Sequence, residues 1–187
     1  MPRKFIKETP EGSMADRLYN FPVKEDDIWI VTFPKSGTTW TQETISMLVN
    51  NVDKEKGKVS LSIRSPFLEM GCIGMAAGLE KIAQVPESVL NAMKNPLTLA
   101  ESMPGRRVLK THLPMQFLPP DLVKKCKVVY VARNPKDTCV SFFNHNRDMP
   151  GHGFSGDFAD FATQFKAGLQ LYGDYWLEVN GYYKHII

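Results

Sequence analysis

At 187 residues, 43% hydrophobic and 23% charged, the chain has the composition of an ordinary soluble globular domain, and its length favours one domain with a substantial core. A net charge of +3 from 23 basic and 20 acidic residues is too even for a nucleic-acid or anionic-membrane binder, which concentrates its basic residues in a patch. The three cysteines, Cys72, Cys126 and Cys139, have no metal-like spacing and lie in or beside apolar stretches, so they read as reduced, buried thiols of a cytoplasmic protein. Residues 1–12 carry Arg3, Lys4, Lys7 and Glu8 but no apolar centre, which argues against a signal peptide, and no run approaches the length of a membrane span.

The first element in chain order is Ile28 to Phe33, a nearly continuous apolar run of β-branched and aromatic residues preceded by Glu25, Asp26 and Asp27. A fully buried parallel strand has this pattern. After Pro34-Lys35-Ser36-Gly37 the spacing becomes helical, with Trp40, Thr44, Met47 and Leu48 on one face and a polar stop at Asn50 and Asn51. Lys54 to Gly78 has turn formers and no clean period, which predicts loop with short helical pieces. A helix is expected from Glu87 to Lys94, after Pro86 and before Asn95-Pro96. Arg107 to Thr111 and Lys127 to Ala132 predict two more strands. Asn134-Pro135 has the form of an N-cap with proline at the first helical position, opening a helix to about Arg147. Phe158, Phe161, Phe165, Leu169, Tyr172, Trp176, Val179 and Tyr183 recur at steps of three and four, predicting the apolar stripe of one long helix that Gly168 and Gly173 can bend or split. Strands alternating with helices predict an α/β fold, a P-loop-like parallel sheet flanked by helices on both faces.

Three clusters carry chemistry. In Phe33-Pro34-Lys35-Ser36-Gly37-Thr38-Thr39-Trp40, the turn between strand and helix presents unpaired backbone N–H groups and a partial positive charge, which suit a phosphate. Gly37 allows close backbone approach, Lys35 adds a full charge, and Ser36, Thr38 and Thr39 add hydroxyl donors. The alternative is an ordinary turn with a solvated lysine. The loop is not a Walker A motif, because Lys35 precedes the glycine and no glycine opens the loop. No acidic residue ends the Lys127 to Ala132 strand either, so a metal-dependent kinase fits poorly and no metal site is expected.

In the second cluster, Lys110 and His112 emerge at the carboxyl end of a strand, where open α/β sheets bind ligands. Histidine accepts a proton near neutral pH and lysine stabilises charge on a leaving oxygen. A lone histidine is otherwise a surface or satisfied structural residue. In the third cluster, Arg133 closes a strand and Ser141 follows at an eight-residue interval. The guanidinium grips a phosphate bidentately, and a serine two turns into the helix can face the same groove. The plain alternative is a capped helix with a charged first turn.

Taken in order, FPKSGTTW, PFLE at Pro66 to Glu69, LKTHLP at Leu109 to Pro114 and VVYVARNPKD at Val128 to Asp137 resemble the cytosolic sulfotransferases, from about Asp26 to Tyr183. The resemblance implies 3′-phosphoadenosine 5′-phosphosulfate (PAPS) as donor, adenosine 3′,5′-bisphosphate as product, no metal, and a phenol, sterol or other alcohol as acceptor. It implies that Lys35, Ser36, Gly37, Thr38 and Thr39 surround the 5′-phosphosulfate, that Trp40 stacks on adenine, and that Arg133 and Ser141 hold the 3′-phosphate. His112 is then the general base, Lys110 an acceptor-side lysine, and Lys35 the group stabilising the bridging oxygen. Phe67, Met70 and Phe142 resemble the apolar acceptor wall, with the loop 70–78 as its lid. Family members continue well past Ile187, so the resemblance implies one domain over 1–187 that lacks the C-terminal part of an incomplete sulfotransferase fold, and a possible homodimer in the full-length form. A second reading is a non-catalytic truncated isoform acting as a nucleotide-binding or interaction module.

Overall fold

The computed structural model describes residues 12–71, 85–149 and 152–186. Three parallel strands form its centre in the order β2-β1-β3: β1 (Ile28–Thr32), β2 (Val108–Thr111) and β3 (Lys127–Val131). Ile28 pairs with Val108 on one side and with Lys127 on the other. Because β1 is flanked on both edges, Trp29, Ile30, Val31 and Thr32 are all buried, whereas β3 is only half-buried. The outer edge of β2 is covered by residues 66–68, whose backbone bonds Lys110 in both directions.

Helix α2 (Thr38–Val49) packs against β1 and β2. On the opposite face Trp29, Val31 and Leu109 enter a core with Leu18, Phe21 and Leu113. Fully burying an apolar side chain of leucine size stabilises by about 1.5–3 kcal/mol. Among the described residues, no helix is long and apolar enough to cross a membrane.

The remaining helices are α1 (Met14–Tyr19), α3 (Lys54–Gly57), α4 (Leu61–Arg64), α5 (Glu87–Lys94), α6 (Pro96–Ser102), α7 (Leu122–Lys125), α8 (Pro135–Asp148), α9 (Phe158–Lys166) and α10 (Tyr175–Ile186). Asn134 caps α8 as predicted, its Oδ1 accepting from the Lys136 N–H at 3.0 Å. Helix α1 was not predicted, although Ser13 and Asp16 form a capping box there. Asn95-Pro96 ends α5 as expected and also opens α6, because proline is tolerated in a first helical turn.

The face of α2 carrying Trp40, Thr44 and Leu48 is exposed, Trp40 at 83%, while Thr38, Gln42 and Ser46 face the sheet. The long helix is two: the chain breaks at Gly168 and Gly173, with φ of 68° and 83°, conformations glycine adopts without strain. Past the break the helical phase is reset, so α10 buries Tyr175, Glu178 and Tyr182 and exposes Trp176 and Tyr183. Cys126 and Cys139 are free, half-buried and buried respectively, and burial pushes both thiols up. Cys72 and most of the proposed lid lie outside the described residues.

Candidate active site

The three strands end side by side, and their carboxyl ends deliver the loop 33–37, residues 110–112 and Arg133 to one place. The first loop leaves β1 at Phe33, turns through Lys35 at φ 69° and Gly37 at φ 107°, and enters α2. A left-handed lysine is uncommon and is held here by its surroundings. The Arg133 Nη1 donates to the Lys35 carbonyl at 3.0 Å, tying the third strand's end to the first. No side chain caps the start of α2, so its leading N–H groups keep their capacity to bind an anion. Thr38 is fixed beneath the loop by a 2.6 Å hydroxyl contact with Thr32.

His112 is only 6% exposed. Its Nδ1 lies 2.7 Å from the Thr32 carbonyl, which can only accept, so the ring proton sits on Nδ1 and Nε2 is left as an acceptor. Burial holds its pKa well below the usual histidine value, with Lys110 adding to the depression, and the ring is neutral at pH 7. The edges of Phe67 and Tyr172 pack against it at 4.9 and 5.4 Å. The His112 N–H donates to Glu69 Oε1 at 2.5 Å. Burial raises the Glu69 carboxyl to about 7, opposed by that hydrogen bond and by Lys110. Lys110 lies over the Phe67 ring, its Nζ 4.0 Å from the centroid, and burial lowers it to about 8 against the pull of Glu69.

Lys110, His112, Phe67 and Tyr172 line one cavity of about 400 Å³ together with the loop after β1 and Arg133, while Glu69 lies behind its wall. Of the sequence-predicted site residues, Lys35, Gly37, Thr38, Thr39, Trp40, Phe67, Met70, Lys110, His112, Arg133, Ser141 and Phe142 all border it. Ser36 does not: it is buried behind the loop and its Oγ has no partner. Phe142, expected in the wall, also reaches the core, edge-on to Phe33 and Phe161.

The cavity also takes in Met93, His145, Met149, His152 and Tyr172, which the sequence reading missed. The signal for His145 was its position four residues after Ser141, one turn along the same helix face. Glu69 was quoted only as part of a motif, and Glu178 not at all. A carboxylate inside the apolar stretch PFLEM, and another between Tyr175 and Tyr182 at helical spacing, were the available signals. Among the described residues no group of three or more His, Cys, Asp or Glu is placed to hold a metal ion.

Residues 25–186 match the model of the sulfotransferase domain. The chain belongs to the sulfotransferase family. Mouse (Mus musculus) sulfotransferase 1A1 is 36% identical over 183 residues, covering 97% of this sulfotransferase chain and 55% of that protein. Luciferin sulfotransferase from Photinus pyralis is 32% identical over 175 residues, 91% of this chain and 46% of that protein. The crystal structure of retinol dehydratase in a complex with retinol and PAP superposes with a TM-score of 0.78 at 27% identity, covering 94% of this chain and 58% of the other. The same enzyme with androsterone and the inactive cofactor PAP gives 0.78 at 27% identity, covering 91% and 54%. The chain thus spans about half the length of the curated relatives it matches.

Proposed function

We propose that this chain carries the PAPS site and one wall of the acceptor site of a sulfotransferase that moves a sulfuryl group to a hydroxyl by in-line transfer. The observation that carries the proposal is the convergence of an uncapped helix start, Arg133 with Ser141, and Lys110 with His112 on one cavity at the ends of three parallel strands. The residues fit the donor on their own chemistry. The leading N–H groups of α2 await an anion, and Trp40 offers an indole 83% exposed beside them. That PAP occupies related folds supports the same reading.

The donor supplies a sulfuryl group bonded to a phosphate leaving group; the remaining work falls to side chains. His112 Nε2, unprotonated and neutral, takes the acceptor hydroxyl's proton. The Thr32 carbonyl then stabilises the imidazolium through Nδ1–H. Lys35 neutralises charge growing on the bridging oxygen, and Arg133 and Ser141 hold the 3′-phosphate. Lys110, still mostly cationic at neutral pH, sits on the acceptor side with Phe67, Met70 and Phe142.

The test is a magnesium-free calorimetric titration with adenosine 3′,5′-bisphosphate and with 5′-AMP. The bisphosphate is expected to bind at least tenfold more tightly, because a charge-assisted hydrogen bond is worth about 1.5–3 kcal/mol. Arg133→Ala should remove that preference. Equal affinities would overturn the proposal. Preference for the bisphosphate without sulfate transfer to β-naphthol would favour the non-catalytic nucleotide-binding reading.

A further inference from the structure

One turn beyond Ser141 on α8, the cavity wall carries His145. Its ring lies nearly parallel to Phe142, with centroids 6.4 Å apart and planes at 22°. It meets the ring of His152 edge-on, at 5.0 Å and 86°. His152 Nδ1 is 2.9 Å from Asn146 Oδ1, so that nitrogen donates to the amide oxygen and Nε2 remains an acceptor. Among the described residues no hydrogen bond reaches either ring nitrogen of His145.

Neither ring is a charge at neutral pH. Burial, followed by Lys35, His152 and Lys110 and opposed by Asp148, lowers His145 to about 4, and burial lowers His152. The described cavity lining contains the cations Lys35, Lys110 and Arg133 and no aspartate or glutamate. The space shared by His112 and His145 is otherwise faced by rings and thioethers, Phe67, Met70, Met93, Met149 and Tyr172, which suits a flat apolar body.

A flat acceptor with one hydroxyl at His112 therefore meets a second polar pole in the same cavity. A neutral imidazole presents one donor and one acceptor nitrogen, and a hydroxyl, which both donates and accepts, satisfies either tautomer. An ammonium group at that pole would stand near the cations Lys35 and Lys110, and the one carboxylate whose charge reaches His145, Asp148, is already paired with Arg147. Resting on the sulfotransferase reading above, we propose that His145, steadied by His152, is a specificity-determining residue that hydrogen-bonds a second, uncharged hydroxyl of the acceptor. The favoured acceptor class is the flat aromatic diol, over the mono-hydroxyl compound and over the amine.

The experiment uses the whole chain saturated with adenosine 3′,5′-bisphosphate and three matched probes. These are β-naphthol, a naphthalenediol with its second hydroxyl on the far ring, and the naphthol carrying an aminoethyl group at that position. The diol is expected to bind about tenfold more tightly than β-naphthol, and the amine more weakly than both. His145→Phe, which preserves the flat ring, should erase the diol's advantage over β-naphthol. His145→Gln, which keeps a donor and an acceptor, should retain part of it. Circular dichroism and unchanged bisphosphate affinity establish that each variant is folded, and the comparison of probes on the unaltered chain needs no variant. Equal binding of diol and β-naphthol, binding of neither, or an advantage that survives in His145→Phe overturns the inference while leaving the donor site standing. Failure to bind the bisphosphate overturns the sulfotransferase reading, and this inference with it.

Discussion

The two ends of the small sheet handle buried charge in opposite ways. Where the strands begin, Asp27 and Arg107 are fully buried and fully answered. Arg107 Nε donates to Asp27 Oδ1 at 2.8 Å and Nη2 to Oδ2 at 2.5 Å, while its other donors reach the carbonyls of Ala100 and Pro22. Lys24 N–H adds a further bond to Asp27. Where the strands end, buried polar groups are left short of partners: Glu69 keeps one oxygen unbonded, and neither oxygen of Glu178 has a partner although the residue is 2% exposed. Charge at one end is paired and hydrogen-bonded, and at the other, burial of carboxyl groups without full partners raises their proton affinity. Stability and chemistry are thereby separated along a single strand length.

The largest effect that can break this comparison is at the satisfied end. Arg107→Met leaves Asp27 buried and alone and should cost about 3–5 kcal/mol, read as a fall in the denaturant midpoint. Adding Asp27→Leu should recover part of the loss but not all, since the Pro22 and Ala100 carbonyls still lack their donor. A single variant that loses less than about 1 kcal/mol would mean that the pair does not anchor the strands.

The next effect sharpens the contrast at the other end. Burial, with the Glu69 carboxylate adding repulsion, raises Glu178 from 4.5 to about 9. Between those values the folded chain keeps a proton that the unfolded chain releases, so stability falls as pH rises, by about 1.4 kcal/mol per pH unit at most. Glu178→Gln keeps the shape and removes the titration. It should raise the melting temperature at pH 8 and leave it nearly unchanged at pH 5. A gain equal at both pH values would remove Glu178 from the account.

Smaller still is the cap. Asn134→Ala should cost about 1 kcal/mol in thermal denaturation, because the first turn of α8 loses its side-chain acceptor. Smallest in stability is Trp40→Ala, expected within about 0.5 kcal/mol because the indole is exposed. The same change should weaken bisphosphate binding by about 1–3 kcal/mol of base stacking, a split visible only when both quantities are measured on one variant.

The sequence showed the strands clearly because β1 is apolar on both faces, and it showed the loop because Lys35, Gly37 and the threonines act through neighbours a few residues away. It showed the break at Gly168 and Gly173 as a possibility, yet the stripe beyond it was read one residue out of phase. Helical phase is carried by continuous backbone hydrogen bonds, and two left-handed glycines interrupt them. Helix α1 was legible in Ser13 and Asp16, but its single turn and a half is too short for apolar periodicity to register. His145 was legible only as a position on α8, since nothing in its neighbours announces that the face is a cavity wall.

What the sequence determined by itself is therefore local: three strands, the turn that follows the first, the capped start of α8, and the residue types that end each strand. The tertiary structure decided which of those groups are charged and what they face. Arg107 finds Asp27 and His112 finds Thr32 across 80 residues of chain, and Arg133 finds Lys35 across 98. Backbone conformation is set by near neighbours. Desolvation and pairing, which set the charge of Glu178 and the neutrality of His112 and His145, depend on whatever the fold packs against them.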